Sequence, residues 1–332
     1  MIRNDPRISV AIPLLNEEKV LPELLQRIRG VLDSLPGGPH EIVIVDDGST
    51  DSTPEVLRRE ADQDPRLVGV LLSRNFGHQT AVTAALNYVS GDVVVVMDGD
   101  LQDPPEAIPL LLEQFHGGYD VVYVQRIGRK ESWWLRICYH IFYRLIAMLS
   151  GLRLPLDTGD FALMSRRVVE ELRRMPEQHR YLRGMRSWVG FRQTGLPIER
   201  AERRSGQSKY NLFKLLKLAA DGIFSFSIVP LRFAAFLGAV AVFFSSAFSI
   251  WALYAKFALH QSPRGFTSLI LAVTFLAGVQ LFFMGVIGEY VGRLYEASKA
   301  RPHYVVSQHF GGTHFVAVDR TTSEMVGNET SR

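Results

Sequence analysis

Short apolar runs alternate with amphipathic segments over the first hundred residues. Three runs are rich in β-branched residues and predict strands: residues 8–14, 41–45 and 92–97. Three intervening segments place apolar residues at helical spacing and predict helices: residues 17–32, 53–62 and 79–89. This alternation predicts an α/β fold with a parallel twisted sheet, helices on both faces and a ligand site beyond the carboxyl ends of the strands.

Two long apolar runs, residues 233–255 and 265–288, stand near the C-terminus and contain no Asp, Glu, Lys or Arg. Each exceeds the roughly 20 residues that a helix needs to cross the hydrocarbon layer of a membrane. The alternative is a buried helical hairpin in a large soluble domain. The length and the lack of charge favour two transmembrane helices.

Basic residues flank this pair of runs and predict its orientation. Six precede the first run and three follow the second: Arg203, Arg204, Lys209, Lys214, Lys217 and Arg232, then Arg293, Lys299 and Arg301. Only Lys256 and Arg264 lie in the connection. The positive-inside rule therefore predicts that both termini lie in the cytoplasm. We expect an integral protein of a bacterial-type inner membrane. The polar N-terminus does not resemble a signal peptide.

The pattern divides the chain into three predicted parts: a cytoplasmic domain over residues 1–230, a two-helix membrane region over 231–292 and a cytoplasmic tail over 293–332. Aromatic and basic residues mix at about 131–150 and 211–226, which predicts amphipathic helices in the headgroup layer. For the first of these, a soluble helix packed on the sheet is the alternative. In the tail we expect a short strand at 304–306 and then disorder.

The charge and cysteine content of the chain limit the classes of partner that it can bind. With 37 basic and 34 acidic residues the formal charge is +3, which is too balanced for a general nucleic-acid binder. The basic residues beside the membrane predict contact with anionic lipid. The single cysteine, Cys138, excludes an intrachain disulfide and a multi-cysteine metal site. Glycines in the apolar runs would allow helices to approach closely, so a homo-oligomer is open.

Acidic clusters follow all three predicted strands. Glu17 and Glu18 come after the first strand, Asp46 and Asp47 precede Gly48 and Ser49 after the second, and Asp98-Gly99-Asp100 follows the third. Each cluster alone could be a polar turn that leads into a capped helix. The convergence of the three clusters on one sheet edge favours a site. There, Asp98 and Asp100, close to each other and to a diphosphate, would repel unless a divalent cation lay between them. Hard oxygen ligands favour Mg²⁺ or Mn²⁺, and Gln102 could add an amide oxygen.

From residue 10 to about 292 these motifs resemble the membrane-bound polyprenyl-phosphate glycosyltransferases of glycosyltransferase family 2, which are similar to dolichol-phosphate mannose synthase and bactoprenol glucosyltransferases. The resemblance implies a nucleotide-sugar-binding, Rossmann-like domain of the glycosyltransferase A type, followed by interface and membrane helices. It implies that six residues bind the nucleotide: Pro13, Leu15, Glu17, Val45, Asp47 and Asp98. It also implies that three hold the metal and the diphosphate: Asp98, Asp100 and Gln102.

Two later segments also match the family. Residues 157–164 resemble a segment whose acid, here Asp160, lies beside the reacting centre and orients the acceptor or takes up its proton. A solvated acid in a turn is the alternative. Ala162 stands where some members have Arg. Residues 203–210 resemble a basic loop that closes over phosphates, which implies roles for Arg203, Ser208 and Lys209.

Arg126 and Arg129 follow a predicted strand at residues 119–124 and could also contact phosphate, or could be ordinary surface charges. The predicted activity is inverting transfer of a hexose from a nucleotide sugar, with UDP-glucose as the expected donor, to polyprenyl phosphate. Asp100, Asp160, Arg203 and Lys209 form the predicted catalytic set. Two alternatives are a processive polysaccharide synthase, whose Gln-x-x-Arg-Trp segment the chain lacks, and a non-catalytic membrane scaffold.

Overall fold

A computed structural model describes residues 5–127, 158–178, 180–199, 229–257 and 265–312. Within these residues eight strands form one sheet in the order β7-β5-β6-β4-β1-β2-β3-β8. The strands are β1 Ile8–Leu14, β2 Glu41–Asp46, β3 Leu67–Leu72, β4 Val93–Val96, β5 Val121–Ile127, β6 Thr158–Ser165, β7 Gln193–Glu199 and β8 Val306–Gly311.

In the described part of the chain the sheet is accompanied by a 3-10 helix at Pro105–Ala107 and by six shorter α-helices: α1 Leu21–Asp33, α2 Thr53–Gln63, α3 His78–Tyr88, α4 Ile108–His116, α5 Arg166–Arg174 and α6 Leu182–Trp188. The predicted strands and helices of the first hundred residues are confirmed to within a few residues at their ends. The sequence reading missed β3, although its residues form an apolar run of strand length.

The sheet is mixed, so the prediction of a wholly parallel sheet is wrong at two strands. β6 runs antiparallel between β4 and β5, and β8 runs antiparallel to β3. The segment that carries Asp160 is therefore a strand, which excludes a solvated turn. Asp160 lies between Ala162, which pairs with Tyr123 of β5, and Thr158, which pairs with Gln125, at the point where the register of the two strands shifts.

Burial explains why the central strands form. Every residue of β1, β2 and β3 is buried, as expected for strands that are covered on both faces. In α1 the buried residues recur at three- and four-residue spacing, so one face of the helix packs on the sheet: Leu21, Leu24, Leu25, Ile28 and Leu32. Complete burial of one such aliphatic side chain contributes about 1.5–3 kcal/mol to the free energy of folding.

The chain reverses direction across the sheet beside β1. From β1 it proceeds to β2 and β3 on one side, and it then returns to β4 on the other side of β1. In open α/β sheets such a reversal leaves a crevice at the carboxyl ends of the two strands, and ligands bind there. The acidic segments after β2 and β4 flank this position.

The C-terminal region contains two long helices, α7 Val229–Phe257 and α8 Phe266–Ser298. Both are long and apolar enough to cross a membrane, over Leu231–Phe248 and Phe275–Ser298. Their large apolar side chains are exposed: Phe243, Phe275 and Phe282 are 69%, 72% and 68% accessible. The number of spans, their orientation and the domain boundaries stay predictions.

After α8 the chain adds β8 to the edge of the sheet. A short strand was expected at 304–306, and the observed strand is Val306–Gly311. Disorder was expected directly after residue 306, but the chain is ordered and paired with β3 as far as Gly311. A strand forms here despite the polar local composition because its residues pair with β3, which is distant in sequence. Both predicted interface helices, 131–150 and 211–226, lie outside the described residues.

Candidate active site

A cavity of about 360 Å³ lies at the reversal point beside β1. Four consecutive strand ends supply its lining, which comprises Pro13, Leu14, Leu15, Glu17, Asp47, Asn75, Gly77, His78, Ala81, Asp98, Gly99 and Asp100. The structure thus brings together six of the predicted site residues: Pro13, Leu15, Glu17, Asp47, Asp98 and Asp100. Val45 is fully buried in β2, two residues before Asp47.

Asp47 joins the end of β2 to the loop before α3. Its Oδ1 accepts a hydrogen bond from the backbone N–H of Phe76 at 2.8 Å, and its Oδ2 accepts one from Gly77 at 2.9 Å. Burial raises the pKa of Asp47, and these two hydrogen bonds oppose the rise. Gly48 is required at the turn because its φ is +72° and a Cβ would lie 2.5 Å from the carbonyl carbon of Arg74.

The ends of β1 and β2 are also linked to each other. Asn16 has φ of 57°, and its Oδ1 accepts a hydrogen bond from the backbone N–H of Thr50 at 2.8 Å. The hydroxyl of Ser49 accepts one from the N–H of Asn16 at 2.8 Å. The turn residues after β2 therefore hold the segment that carries Leu15 and Glu17 to the cavity.

The Asp98-Gly99-Asp100 segment turns sharply after β4. Oδ1 of Asp100 accepts a hydrogen bond from the backbone N–H of Gln102 at 3.1 Å, and Leu101 between them has φ of 57°. At Gly99 a Cβ would lie 2.0 Å from Cδ2 of Leu14, so the segment packs tightly on β1. Gln102 is 8% exposed and is not among the residues described as lining the cavity.

Asp160, on β6, accepts hydrogen bonds from three side chains. Arg183 donates through Nε to Oδ1 at 2.7 Å and through Nη2 to Oδ2 at 3.2 Å. Nε2 of His78 lies 3.2 Å from Oδ2, and Nε2 of Gln79 donates to the same oxygen at 3.4 Å. The carboxylate is 8% exposed, so water does little to screen these contacts.

This environment has opposite effects on the two titratable partners. Burial alone would raise the pKa of Asp160, but the hydrogen bond from His78 and the charge of Arg183 lower it well below its usual range. Burial alone would lower the pKa of His78, but the hydrogen bond to Asp160 and the charges of Asp98 and Asp160 raise it. Asp160 is therefore a carboxylate at neutral pH.

His78 also connects Asp160 to the acidic segment after β4. Its Nε2 lies 3.6 Å from Oδ1 of Asp98, and one ligand atom from each of His78, Asp98 and Asp160 lies within 4.8 Å of the others. This group could hold a metal ion. It shares Asp98 with the predicted set of Asp98, Asp100 and Gln102.

The sequence reading missed His78, Gln79 and Arg183. His78 and Gln79 begin α3, which follows the missed strand β3 after a loop over residues 73–77, so the apolar run at Leu67–Leu72 was the available signal. Arg183 lies on α6, and no pattern in the sequence distinguishes it from other arginines. Arg186, one turn further on, is buried, and its guanidinium lies 5.4 Å from the ring centroid of Tyr123.

Other predicted residues lie outside the part of the chain that the structure describes: Asp157, Arg129, Arg203, Ser208 and Lys209. Arg126 belongs to β5, but its side chain is likewise outside that part. The roles assigned to these residues stay predictions.

Comparison with known proteins supports the predicted family. Residues 9–173 match the model of glycosyl transferase family 2, and residues 229–294 match the GtrB C-terminal hairpin. The chain is 41% identical over 304 residues to "Uncharacterized glycosyltransferase YkcC" of Bacillus subtilis, covering 91% of this chain and 94% of that protein. It is 39% identical over 301 residues to the bactoprenol glucosyl transferase of Shigella phage SfV, covering 90% and 98%.

A prophage bactoprenol glucosyl transferase homolog of Escherichia coli is 37% identical over 303 residues, covering 91% of this chain and 99% of that protein. These matches confirm the predicted glycosyltransferase A-type fold and the prediction of a glycosyltransferase enzyme. The chain belongs to glycosyltransferase family 2 and carries the C-terminal hairpin of the GtrB type.

Proposed function

We propose that this enzyme transfers glucose from UDP-glucose to polyprenyl phosphate at the cytoplasmic face of the membrane, with inversion at the anomeric carbon. The observation that carries the proposal is the cavity beside β1, where Asp98 and Asp100 lie next to the cluster of Asp160, His78 and Arg183. Relatives named bactoprenol glucosyl transferases support glucose as the sugar and a polyprenyl phosphate as the acceptor.

The nucleotide would occupy the part of the cavity that β1 and β2 form. Pro13 and Leu15 would supply apolar surface for the base, and Glu17 and Asp47 would supply carboxylates for the ribose hydroxyls. Val45 is fully buried, so it would act only through its strand pairing with Pro13. The cavity volume of about 360 Å³ lies within the usual range for small-ligand sites. Asp47 already holds the loop that carries Asn75 and Gly77, so it would shape this part of the cavity as well.

Asp98 and Asp100 fit a divalent cation better than the group that includes His78 and Asp160. Mg²⁺ and Mn²⁺ prefer oxygen ligands, and both oxygens of Asp160 already accept hydrogen bonds from Arg183. The side chain of Gln102 is buried, so its amide oxygen would reach the cation only if this side chain moved. When bound, the cation would neutralise the charge of the diphosphate leaving group.

The acceptor would come from the membrane that α7 and α8 are apolar enough to enter. We assign its phosphate to four basic residues and one serine that were predicted from the sequence: Arg126, Arg129, Arg203, Lys209 and Ser208. Arginine and lysine also suit the negative charge that develops on the leaving diphosphate. The predicted orientation, with both termini in the cytoplasm, would put the acceptor phosphate and the donor on one side of the membrane. Glycines in the helices leave a homo-oligomer open.

The reaction is a single displacement. An oxygen of the lipid phosphate attacks the anomeric carbon, and the bond from that carbon to the diphosphate oxygen breaks, so the nucleoside diphosphate leaves with the electron pair. The attacking phosphate is largely ionised at neutral pH, so it needs little help from a base. Since Arg183, His78 and Gln79 already donate to Asp160, we assign this acid to orientation of the reactants.

A donor screen tests the proposal. Membranes that contain this protein are incubated with polyprenyl phosphate, Mg²⁺ or Mn²⁺ and one radiolabelled nucleotide sugar at a time, and the lipid product is identified by mass. We expect label in polyprenyl-phosphate glucose with UDP-glucose and none without the divalent cation. Transfer of another sugar would refute the donor assignment, and a lengthening polysaccharide would support the processive alternative.

A further inference from the structure

The segment that follows α8, residues 303–311, contacts the elements that position the active site. We call it the C-terminal segment. It lies beyond both family models, which end at residues 173 and 294. The sequence gives it no catalytic motif. Its contacts with β3, with the loop after β3 and with α3 nevertheless place it close to the supports of His78 and Gln79.

The first contact is with the loop that lines the cavity. The backbone carbonyl of Val305 accepts a hydrogen bond from the N–H of Ser73 at 2.9 Å, and Ser73 begins the loop over residues 73–77. At the far end of that loop, Asp47 holds Phe76 and Gly77. The loop is therefore fixed at both ends, by the C-terminal segment and by an acid of the cavity.

The second contact is with α3. The hydroxyl of Tyr304 accepts a hydrogen bond from Nδ2 of Asn87 at 2.9 Å, near the end of the helix. His78 and Gln79, which contact Asp160, form the first turn of the same helix. Because a helix moves as a stiff rod, a restraint at Asn87 also limits displacement at His78.

The third contact is the pairing of β8 with β3, which anchors the segment. Ser307 donates its hydroxyl to the carbonyl of Leu71 at 3.0 Å. The ring of Phe310 lies on Gly69, where a Cβ would come within 2.3 Å of the ring, and the guanidinium of Arg58 lies 5.7 Å from its centroid. Phe310 is thus the side chain that seats β8 on the sheet.

We propose that the C-terminal segment is a positioning element of the active site. Seated by Phe310, it holds the loop after β3 and α3 so that His78 and Gln79 meet Asp160.

Hydrogen exchange of the purified full-length protein tests this proposal without any substrate. The variants are Phe310→Ala, which unseats the strand, and Tyr304→Phe, which removes the acceptor for Asn87. We expect amides of residues 73–82 to exchange about tenfold faster in Phe310→Ala, and less so in Tyr304→Phe, with β2 at residues 41–46 unchanged. Val305→Ala is the matched control, because it trims an exposed side chain and keeps the carbonyl that Ser73 uses.

Unchanged exchange at residues 73–82 in both variants would overturn the proposal. Equal acceleration at 41–46 would also overturn it, because the residues would then support the whole fold. If Phe310→Ala does not fold, Tyr304→Phe decides alone.

A second readout is glucose transfer per folded molecule. This readout rests on the proposed function, and there we expect kcat/KM to fall about tenfold in Phe310→Ala and to stay at the wild-type value in Val305→Ala. If the wild type transfers no glucose, the exchange result still stands.

Discussion

The carboxylates on the two sides of His78 are held in different ways. On the cavity side, Asp47 and Asp100 accept hydrogen bonds from neutral backbone amides. On the other side, Asp160 accepts hydrogen bonds from the guanidinium of Arg183 and from the side chains of His78 and Gln79. Backbone amides orient a carboxylate and leave its charge in place, whereas a guanidinium neutralises it.

The difference assigns two tasks to acids that lie within one site. Of the cavity acids Asp47, Asp98 and Asp100, the last two would lie beside the diphosphate, where carboxylates are tolerable only if a cation comes with the ligand. Asp160 is already balanced and belongs to a network that sets geometry. A change at Asp98 or Asp100 should therefore remove metal-dependent transfer, and a change around Asp160 should disturb alignment.

The largest effect is expected for Asp100→Ala. Loss of this carboxylate removes a ligand of the proposed cation, so glucose transfer should fall by about 100-fold or more at saturating Mg²⁺ or Mn²⁺. The measurement is the rate of radiolabelled glucose transfer to polyprenyl phosphate per amount of folded protein. Asp62→Ala, at an exposed acid at the end of α2, should keep the wild-type rate. Near-normal transfer by Asp100→Ala would defeat the metal assignment.

The cavity acids were predictable from sequence because their positions are local properties. A strand followed at once by Asp98-Gly99-Asp100 places carboxylates at the edge of the sheet, whatever the rest of the chain does. The bounds of β1 and α2 follow in the same way from apolar spacing.

The Asp160 network was not predictable because its contacts join distant parts of the chain. His78 and Asp160 are 82 positions apart, and they meet because β6 inserts antiparallel beside β4. Arg183 comes from a helix that follows Asp160 by 23 positions. Hydrophobic periodicity reports the type of a local element but does not report which arginine will face which acid. The pairing of β8 with β3 escaped prediction for the same reason.

A smaller effect is expected for Arg183→Ala, which leaves the carboxylate of Asp160 buried without the guanidinium that balances its charge. The cost in folding free energy should lie between the roughly 1 kcal/mol of an exposed pair and the roughly 3–5 kcal/mol of a fully buried one, since Arg183 is 29% exposed. Turnover should fall about tenfold through misalignment. The measurements are thermal unfolding and kcat of the purified protein.

Arg183→Lys is the matched variant, since it keeps the charge and loses the paired hydrogen bonds. It should recover most of the stability and less of the turnover. Equal recovery of both would show that charge alone matters at Asp160. Full turnover in Arg183→Ala would contradict a role for this network in alignment.

The smallest effect is a pH-dependent change in stability at His78, the residue that joins the two sides. Its pKa is raised in the folded protein, so its contacts with Asp160 and Asp98 stabilise the fold fully below the unfolded value of about 6.5 and lose this effect as pH rises through the folded value. The excess in Tm of wild type over His78→Gln should therefore be largest near pH 6 and shrink toward pH 9. We expect a change on the order of 2 °C, because half-exposure of His78 weakens the interaction.

Chelator is present throughout, so that no cation competes for Asp98. The lowered pKa of Asp160 keeps that acid ionised across this range, so the change belongs to the imidazole. An excess that stays constant or grows with pH would show that His78 does not couple the cavity acids to Asp160 through its charge.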